Sequence, residues 1–390
     1  MKKKNNSILK YYIFSIFVLV CFLILADFFI KQTINWLKEY DKVVTSHPIF
    51  HHTYKKNGHA YIKHPLGNFD IFTNSVGFRD KEIRNIENTA YNKRILFIGD
   101  SFTDGVLINY PDTFVGIIEK KLSKKNIQVL NASRSSYSPV IYWKKIEYYI
   151  EEEGLDFDEL FVFLDISDVQ DESVFYKLSN GKVLNRKDEV GFSIYKLKLF
   201  IEKNFFYTFK ISNIIYDLFS DQKKRDELIQ RALEQDIKEK EMKEKLIEKH
   251  KNPWINIISD NQNRDKWTIN PNVYSEYGEH GIRLMKVYMK KLKDLLDKKN
   301  IRLTICVYPW PTQVWYDDLE SLQVKIWSEF AKNNQIGFIN FFPYFIKKGL
   351  SDTEKVEVLK KYFIPQDPHF NKTGHNLIAN KFLLEFRGLE

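Results

Sequence analysis

Five short apolar runs alternate with five longer segments of helical periodicity along most of this chain. The runs are mostly apolar on both faces, which is typical of strands buried in a parallel sheet. Parallel neighbours need a crossover connection, usually a helix, so helices cover such a sheet. The runs are 94–98, 127–131, 160–165, 301–307 and 337–341, and the helical segments are 111–124, 138–152, 283–299, 320–333 and 373–386. The alternation predicts an α/β fold.

The first apolar run stops abruptly at Gly99, Asp100 and Ser101. In α/β sheets ligands bind at the carboxyl ends of the strands, so a serine directly after a buried strand lies where chemistry takes place. Near the other end of the chain, Asp367 lies two residues before His369. A serine, a base and an acid together indicate nucleophilic catalysis. His369 is then the expected general base for Ser101, and Asp367 would hold the imidazole tautomer and stabilise the imidazolium.

These segments resemble the SGNH (GDSL-like) hydrolase family, which has Gly-Asp-Ser at the end of its first strand and an Asp and a His near its C-terminus. The resemblance covers residues 70–390, and the segment 73–80 is similar to the lead-in of membrane-anchored, cell-envelope members. It implies a three-layer α/β/α sandwich with a parallel, flavodoxin-like sheet. It also implies serine acyl chemistry on esters, without a cofactor.

The tetrahedral intermediates of acyl transfer need hydrogen-bond donors aimed at the developing oxyanion. In the family these are the N–H of the nucleophile, a glycine N–H in the second block and an asparagine side chain in the third. The resemblance places these roles on Ser101, Ser136 and Ser167. Ser136 keeps the backbone N–H but lacks the conformational freedom of glycine. The hydroxyl of Ser167 donates one hydrogen bond with a shorter reach than an amide, so either the oxyanion hole is rebuilt or activity is weak.

Acidic residues follow the third apolar run at Asp168, Asp171 and Glu172, without histidine or cysteine at ligand spacing. They are more typical of carboxylates at a helix start than of a metal site, and no metal is expected. The chain has two cysteines, Cys21 in the first apolar segment and Cys306 inside a predicted strand. Neither redox chemistry nor a cysteine-based metal site is indicated.

Three other polar or aromatic features have two interpretations each. His375 is expected to pack or to hydrogen-bond at the start of the last helix rather than to act in catalysis. Asp100 is expected either to bond the backbone of the strand-to-helix turn or to take a catalytic part. The aromatic segment 308–313 leaves a predicted strand at its carboxyl end, where it would either stack on a sugar ring or form a rigid loop packed on the sheet.

Residues 11–30 are apolar apart from one acid and follow the lysines at 2, 3, 4 and 10. About 20 apolar residues cross a bilayer, and lysines mark the cytoplasmic side. We therefore expect a cytoplasmic tail at 1–10, an uncleaved single-pass anchor at 11–30, a juxtamembrane linker at 31–69 and a domain at 70–390 outside the cytoplasm. A cleaved signal peptide is the alternative, but the run is long for one and no clear cleavage site follows.

The formal charge of +9 comes from lysines spread over helix faces, which indicates a solvated surface rather than a nucleic-acid-binding stripe. The segment 190–282 interrupts the alternation of strands and helices. It is first aromatic and then charged, and 222–250 is expected to form a long helix with Glu and Lys neighbours at helical spacing. This helical insertion is either a lid or partner surface, or a solvated helix that covers the sheet.

The predicted anchor and the envelope-type resemblance together favour an extracytoplasmic serine esterase acting on O-acetyl groups of a cell-envelope glycan. Its partners would be the acylated glycan and, through residues 11–30, the membrane. Hydrolysis and transfer share the acyl-enzyme, so a glycan O-acetyltransferase that receives acetyl groups from a membrane partner, with 196–250 as the docking surface, is an alternative. A catalytically silent glycan-binding or assembly protein is a third, motivated by Ser136 and Ser167.

Overall fold

The computed structural model of the protein describes residues 35–64, 66–87, 91–186 and 263–386, together with Val18, Phe22, Trp254 and Ile258. The described fold belongs to a compact unit that takes in Glu39–Arg186 and Lys243–Glu390. A second unit, Met1–Lys38 with Lys187–Met242, lies almost wholly outside the described residues.

Strands and helices are numbered in chain order within the described residues. The strands are β1 Val44–His47, β2 His51–Tyr54, β3 His59–His64, β4 Gly67–Thr73, β5 Arg79–Asp80, β6 Lys93–Gly99, β7 Ile127–Asn131, β8 Glu159–Leu164, β9 Tyr176–Ser179, β10 Lys182–Asn185, β11 Arg302–Val307 and β12 Gly337–Asn340. The helices are α1 Asn35–Val43, α2 Ser101–Asp104, α3 Phe114–Leu122, α4 Pro139–Glu151, α5 Asp168–Gln170, α6 Pro271–Val273, α7 Glu279–Asp297, α8 Pro311–Tyr316, α9 Leu322–Asn333, α10 Phe342–Phe345, α11 Asp352–Tyr362 and α12 Lys372–Glu385.

The central sheet has the strand order β12-β11-β8-β6-β7-β5-β4-β3. The pairs β12-β11, β11-β8, β8-β6 and β6-β7 are all parallel. Numbered among themselves along the chain, these parallel strands have the flavodoxin-like order 2-1-3-4-5, which reverses between β6 and β8. The predicted α/β fold with a mostly parallel sheet is confirmed, and each predicted strand lies within one residue of its expected bounds.

The sheet is extended at one edge by an antiparallel part that the sequence did not predict. β5 joins β7 through the pair Arg79 and Asn131, and β4 and β3 follow outward. The segment expected as a linker, 31–69, therefore holds β1 to β3 and the start of β4, and the compact unit begins at Glu39 rather than at 70. These strands are half-buried, and β3 alternates buried with exposed positions, which is a weaker signal than a continuous apolar run.

The segment 73–80 fixes the turn that leads into β5 and ties it to the nucleophile's helix. The Asn74 side chain accepts a hydrogen bond from the N–H of Phe78 at 3.1 Å, and Phe78 is fully buried. Arg79 is buried as well, and its guanidinium donates to the carbonyls of Gly105 at 2.8 Å and Ile108 at 2.5 Å. Arg79 thus holds the loop that follows α2.

Helices pack over the sheet in pairs, α3 with α12 and α4 with α7. On the first pair, the ring of Phe97 in β6 packs against Phe114 of α3 and Phe382 of α12, with ring centroids 6.4 and 5.1 Å apart. The predicted helices at 111–124, 138–152, 283–299, 320–333 and 373–386 correspond to α3, α4, α7, α9 and α12. The expected layering of helices on a sheet is therefore present.

The predicted insertion at 190–282 is described only from residue 263 onward, apart from Trp254 and Ile258. Its last part packs into the domain, because the buried indole of Trp267 donates to the carbonyl of Ile166 at 2.7 Å. The expected long helix at 222–250 and the docking surface at 196–250 lie outside the described residues.

The predicted tail, 1–10, and anchor, 11–30, also lie outside the described residues, apart from Val18 and Phe22. Within the described part of the chain, no helix combines the length and apolarity needed to span a bilayer. The anchor and the single-pass location at the cell membrane stay predictions.

Candidate active site

Ser101 lies on a tight turn between β6 and α2. A Cβ on Gly99 would lie 3.0 Å from the carbonyl oxygen of Phe163 and would collide with the Thr103 side chain, so β6, β8 and α2 approach each other only with glycine there. Asp100 caps the turn by accepting the N–H of Phe102 at 3.0 Å. Ser101 is the first residue of α2, where a backbone N–H has no intrahelical acceptor. The turn therefore presents both the hydroxyl and the N–H of Ser101.

His369 lies on a short loop between α11 and α12 that closes on itself. Phe363 and Phe370 form an antiparallel bridge, and the N–H of Ile364 donates to the carbonyl of His369 at 3.0 Å. The Asp367 carboxylate accepts the N–H of His369 at 2.9 Å. Local hydrogen bonds thus fix Asp367 and His369 relative to each other without a contribution from Ser101.

The structure brings Ser101, His369 and Asp367 together. His369 Nε2 lies 2.7 Å from Ser101 Oγ, and His369 Nδ1 lies 2.5 Å from Asp367 Oδ1. Because a carboxylate can only accept, Nδ1 carries the hydrogen and Nε2 is left to take the serine proton. This is the arrangement of a Ser-His-Asp triad.

The charges of His369 and Asp367 shift each other's pKa. Burial disfavours a charged His369, but the Asp367 carboxylate and its hydrogen bond, with Asp100 and Asp165 nearby, raise the pKa of His369 above its usual value. Burial also opposes a charged Asp367, yet the charge and hydrogen bonds of His369 lower the pKa of Asp367 overall. The site therefore favours the imidazolium that forms when Ser101 loses its proton.

Asp100 caps the turn, as one of its two interpretations expected, and also borders the nucleophile. The Ser101 hydroxyl lies 3.0 Å from Asp100 Oδ2, and the Tyr308 hydroxyl lies 3.3 Å from Asp100 Oδ1. Burial, with the Asp165 carboxylate beside it, raises the pKa of Asp100 to about 8. Asp100 thus contacts the nucleophile as well as the turn.

The Ser167 hydroxyl is already engaged with Asp165 and is not free to act as an oxyanion donor. The hydroxyl and the N–H of Ser167 both donate to Asp165 Oδ1, at 2.6 and 2.7 Å. The other carboxylate oxygen of Asp165 accepts the Tyr308 hydroxyl at 2.8 Å and the Trp310 indole N–H at 2.7 Å. Trp310 is only 5% exposed, so the segment 308–313, which leads into α8, is packed and does not offer a sugar-stacking surface.

Three buried carboxyl groups lie close enough to hold a cation. Asp100, Asp165 and Asp168 each offer an oxygen within 4.8 Å of the others, the one such group found in the described part of the chain. Hydrogen-bond donors already serve this group, among them the Tyr142 hydroxyl at 2.9 Å from Asp168 Oδ2. Burial, reinforced by Asp100 and Asp165, raises the pKa of Asp168 well above its usual range. This shift in pKa reflects burial and the repulsion between the three neighbouring carboxyl groups.

The acids expected at a helix start have separate partners. Asp171 pairs with Arg264 at 2.6 Å, and Glu172 accepts the N–H of Val140 at 3.0 Å. Burial raises the pKa of Asp171 to about 7 and that of Glu172 to about 8. Of the acids that the sequence singled out together, only Asp168 belongs to the group beside the nucleophile.

Ser136 adopts the left-handed conformation for which the family pattern has glycine, with φ at 62°. Its side chain is exposed, so the conformation does not bury a polar group. Its carbonyl accepts the Tyr176 hydroxyl at 2.7 Å. The exchange of glycine for serine is therefore tolerated at the price of local backbone strain.

His375 is buried in α12, and its ring packs against that of Phe114. Its Nδ1 accepts the N–H of Phe114 at 3.1 Å, and burial lowers the pKa of His375 to about 3. This neutral, hydrogen-bonded histidine corresponds to the packing role expected from the sequence.

Sequence reasoning missed Tyr308 as a hydroxyl donor beside the nucleophile, and His52 and Tyr176 on the loop of Ser136. Tyr308 follows β11 directly, so the rule that singled out Ser101 would also have found it. His52 and Tyr176 lie outside the parallel strands, and no local pattern marks them.

Comparison with protein-family models and with curated protein sequences gives no match. Solved structures similar to the chain include an acetyl xylan esterase, AlAXEase, at 10% identity and a TM-score of 0.39, over 75% of this chain and 98% of that one. TesA has 8% identity and a TM-score of 0.37, over 76% of this chain and 100% of that one. The lipase/acylhydrolase from Enterococcus faecalis has 9% identity and a TM-score of 0.37, over 76% of this chain and 96% of that one.

Two of these proteins are named for hydrolytic activity, an acetyl xylan esterase and a lipase/acylhydrolase. The chemistry of this chain follows from its own triad. With His369 between Ser101 and Asp367, the site holds the nucleophile, base and acid that serine acyl chemistry requires.

Proposed function

We propose that the protein is an extracytoplasmic serine esterase that removes O-acetyl groups from a cell-envelope glycan. The observation that carries the acyl chemistry is the distance of 2.7 Å from His369 Nε2 to Ser101 Oγ. The acetyl group and the glycan rest on the predicted anchor at 11–30 and on the envelope-type resemblance of 73–80. The bond from His369 Nδ1 to Asp367 Oδ1 supports the proposal, because it leaves Nε2 free to take the serine proton.

The proposed reaction has the following steps. Ser101 Oγ attacks the ester carbonyl while His369 Nε2 takes its proton, and Asp367 stabilises the imidazolium. The oxyanion is held by the N–H groups of Ser101 and Ser136. The intermediate expels the sugar hydroxyl, which receives the proton from His369. Water then attacks the acetyl-Ser101 ester with His369 again as base, and acetate leaves.

The test uses the full chain in detergent with a chromogenic acetyl ester and an O-acetylated glycan. Ser101→Ala is the inactive variant. Ser123→Ala is the matched control, because the exposed Ser123 hydroxyl donates to the Lys120 carbonyl at the end of α3. We expect acetate release from the parent and from Ser123→Ala, and none above background from Ser101→Ala.

The alternatives give different results in the same assay. Little acetate but acetyl transfer to an added sugar would make the protein an O-acetyltransferase. Glycan binding with neither reaction, in the parent and in Ser101→Ala alike, would refute the esterase and favour a silent binding protein.

A further inference from the structure

The peptide group between Ser135 and Ser136 supplies the second oxyanion donor of the proposed mechanism. In a trans peptide the C=O and N–H point in opposite directions, and the described residues contain no cis peptide bond. Whatever holds the Ser135 carbonyl therefore also aims the Ser136 N–H. With φ at 62°, Ser136 lies in the left-handed region that serine disfavours, so contacts from outside must hold this backbone conformation.

That partner is His52, from the N-terminal strand β2. His52 Nε2 lies 2.9 Å from the Ser135 carbonyl oxygen. Because a carbonyl only accepts, Nε2 carries the hydrogen and Nδ1 of His52 is left as an acceptor. His51 Nδ1 lies 2.8 Å from that atom and must be the donor. The pair of histidines therefore has one defined set of tautomers.

The ring of His52 is held in place and kept neutral. The Tyr137 hydroxyl donates to the His52 carbonyl at 2.7 Å, and the two rings meet edge to face with centroids 4.9 Å apart. Burial, with His51 beside it, lowers the pKa of His52 to about 3. The donor at Nε2 is thus present throughout the pH range in which His369 can act as a base.

A second hydrogen bond holds the other side of Ser136. The buried Tyr176 donates its hydroxyl to the Ser136 carbonyl at 2.7 Å, and its ring lies 5.1 Å from that of His51. The peptides before and after Ser136 are therefore each fixed by a side chain from outside the parallel sheet. β2 pairs only with β1 in the described structure, so these contacts give the N-terminal hairpin a place in the site.

We propose that His52 is a positioning residue that sets the oxyanion hole by holding the Ser135 carbonyl, with Tyr176 in support. This inference rests on the proposed serine esterase function. It assigns to the N-terminal hairpin a part in catalysis through the peptide that it orients, without contact with the substrate.

The test compares His52→Ala and His52→Gln with the parent on the chromogenic acetyl ester. An oxyanion donor acts mainly in the transition state, so His52→Ala should lower kcat by about 10- to 100-fold and leave KM within about twofold. The side-chain amide of His52→Gln carries an N–H at a reach similar to Nε2 and should recover most of the loss. His59→Ala is the matched control, because His59 pairs with Asp70 on the exposed face of the next strand. It should leave kcat unchanged.

Labelling of Ser101 with a fluorophosphonate distinguishes failure of the esterase proposal from failure of the His52 inference. The label needs the nucleophile and the oxyanion hole but no natural substrate. A parent that labels but releases no acetate would refute the esterase alone, and the labelling rates of the His52 variants would then decide the positioning role. If His52→Ala does not fold, Tyr176→Phe should still slow labelling severalfold. Equal rates in the parent and His52→Ala, an equal loss in His52→Gln, or an effect on KM alone would overturn the inference. A parent that neither labels nor hydrolyses would overturn both proposals.

Discussion

Replacement of Asp367 by asparagine tests the triad at the atom that sets its tautomer. Asp367 Oδ1 accepts both the N–H of His369, at 2.9 Å, and its Nδ1–H, at 2.5 Å. Asparagine keeps one acceptor oxygen but adds an NH₂ group that can donate to Nδ1. The imidazole would then carry its hydrogen on Nε2, which faces Ser101 Oγ at 2.7 Å and could no longer take the proton.

The loss of the correct tautomer is expected to lower kcat by about 10³- to 10⁴-fold, or about 4 to 5.5 kcal/mol of transition-state stabilisation. The pH profile should change as well. Asp367 raises the pKa of His369, and the base works only when it is unprotonated, so parent activity should fall on the acid side at a pH above 6.5. Without the carboxylate, the residual activity of Asp367→Asn should fall at a lower pH.

The assay is kcat/KM on the chromogenic acetyl ester from about pH 5 to pH 9, with thermal unfolding to confirm that the variant is folded. Asp112→Asn is the control, because Asp112 pairs with Lys372 at the surface at 2.8 Å and does not touch the triad. An Asp367→Asn rate within about tenfold of the parent, or an acid limb at an unchanged pH, would refute the assigned role of Asp367.

Three further predictions concern stability, the oxyanion loop and topology. The folded-state pKa of Glu172 is raised from 4.5 to about 8, so its stabilising contribution is complete below about pH 4.5 and is lost as the pH rises through 8. Glu172→Gln has no group that titrates at this position. Its free energy of unfolding relative to the parent, measured by denaturant unfolding, should therefore rise by on the order of 3 kcal/mol from pH 5 to pH 8. A pH-independent difference would contradict the shifted pKa. Ser136→Gly should keep kcat within about threefold, whereas Ser136→Val should lower the unfolding free energy by about 1 to 2 kcal/mol at φ 62° and slow turnover, and equal behaviour of the two would argue against the left-handed backbone. A reporter fused after Glu390 should be active only if it works outside the cytoplasm, and cytoplasmic reporter activity would overturn the predicted anchor orientation and the envelope substrate.

The parallel strands and the turn at Ser101 could be predicted because their signals are local. β7 and β8 are buried at every position, and most of their residues are apolar on both faces. Asp367 bonds His369 and Asp100 bonds Phe102, and each pair is two residues apart in the chain. Spacing along the sequence was therefore enough to predict both contacts. The family resemblance then supplied the pairing of the serine block with the distant histidine.

The antiparallel edge could not be predicted in the same way. β5 has two residues and is joined to β7 through Arg79 and Asn131, which lie far apart in the chain. β3 and β4 alternate buried with partly exposed positions, and such short strands are stabilised by their neighbours more than by their own composition. The sequence therefore indicated a linker where the structure has a part of the sheet.

The sequence by itself determined the α/β class, the turn that displays Ser101 and the local pairing of Asp367 with His369. Only the tertiary structure decided that Ser167 bonds Asp165. It alone also brought His52 to the carbonyl of Ser135, which lies 83 residues further along the chain. Hydrogen bonds between distant segments depend on where the backbone brings each donor and acceptor, and burial then sets which groups carry a proton. Neither the partner nor the protonation state is encoded in the residues near such a group along the chain.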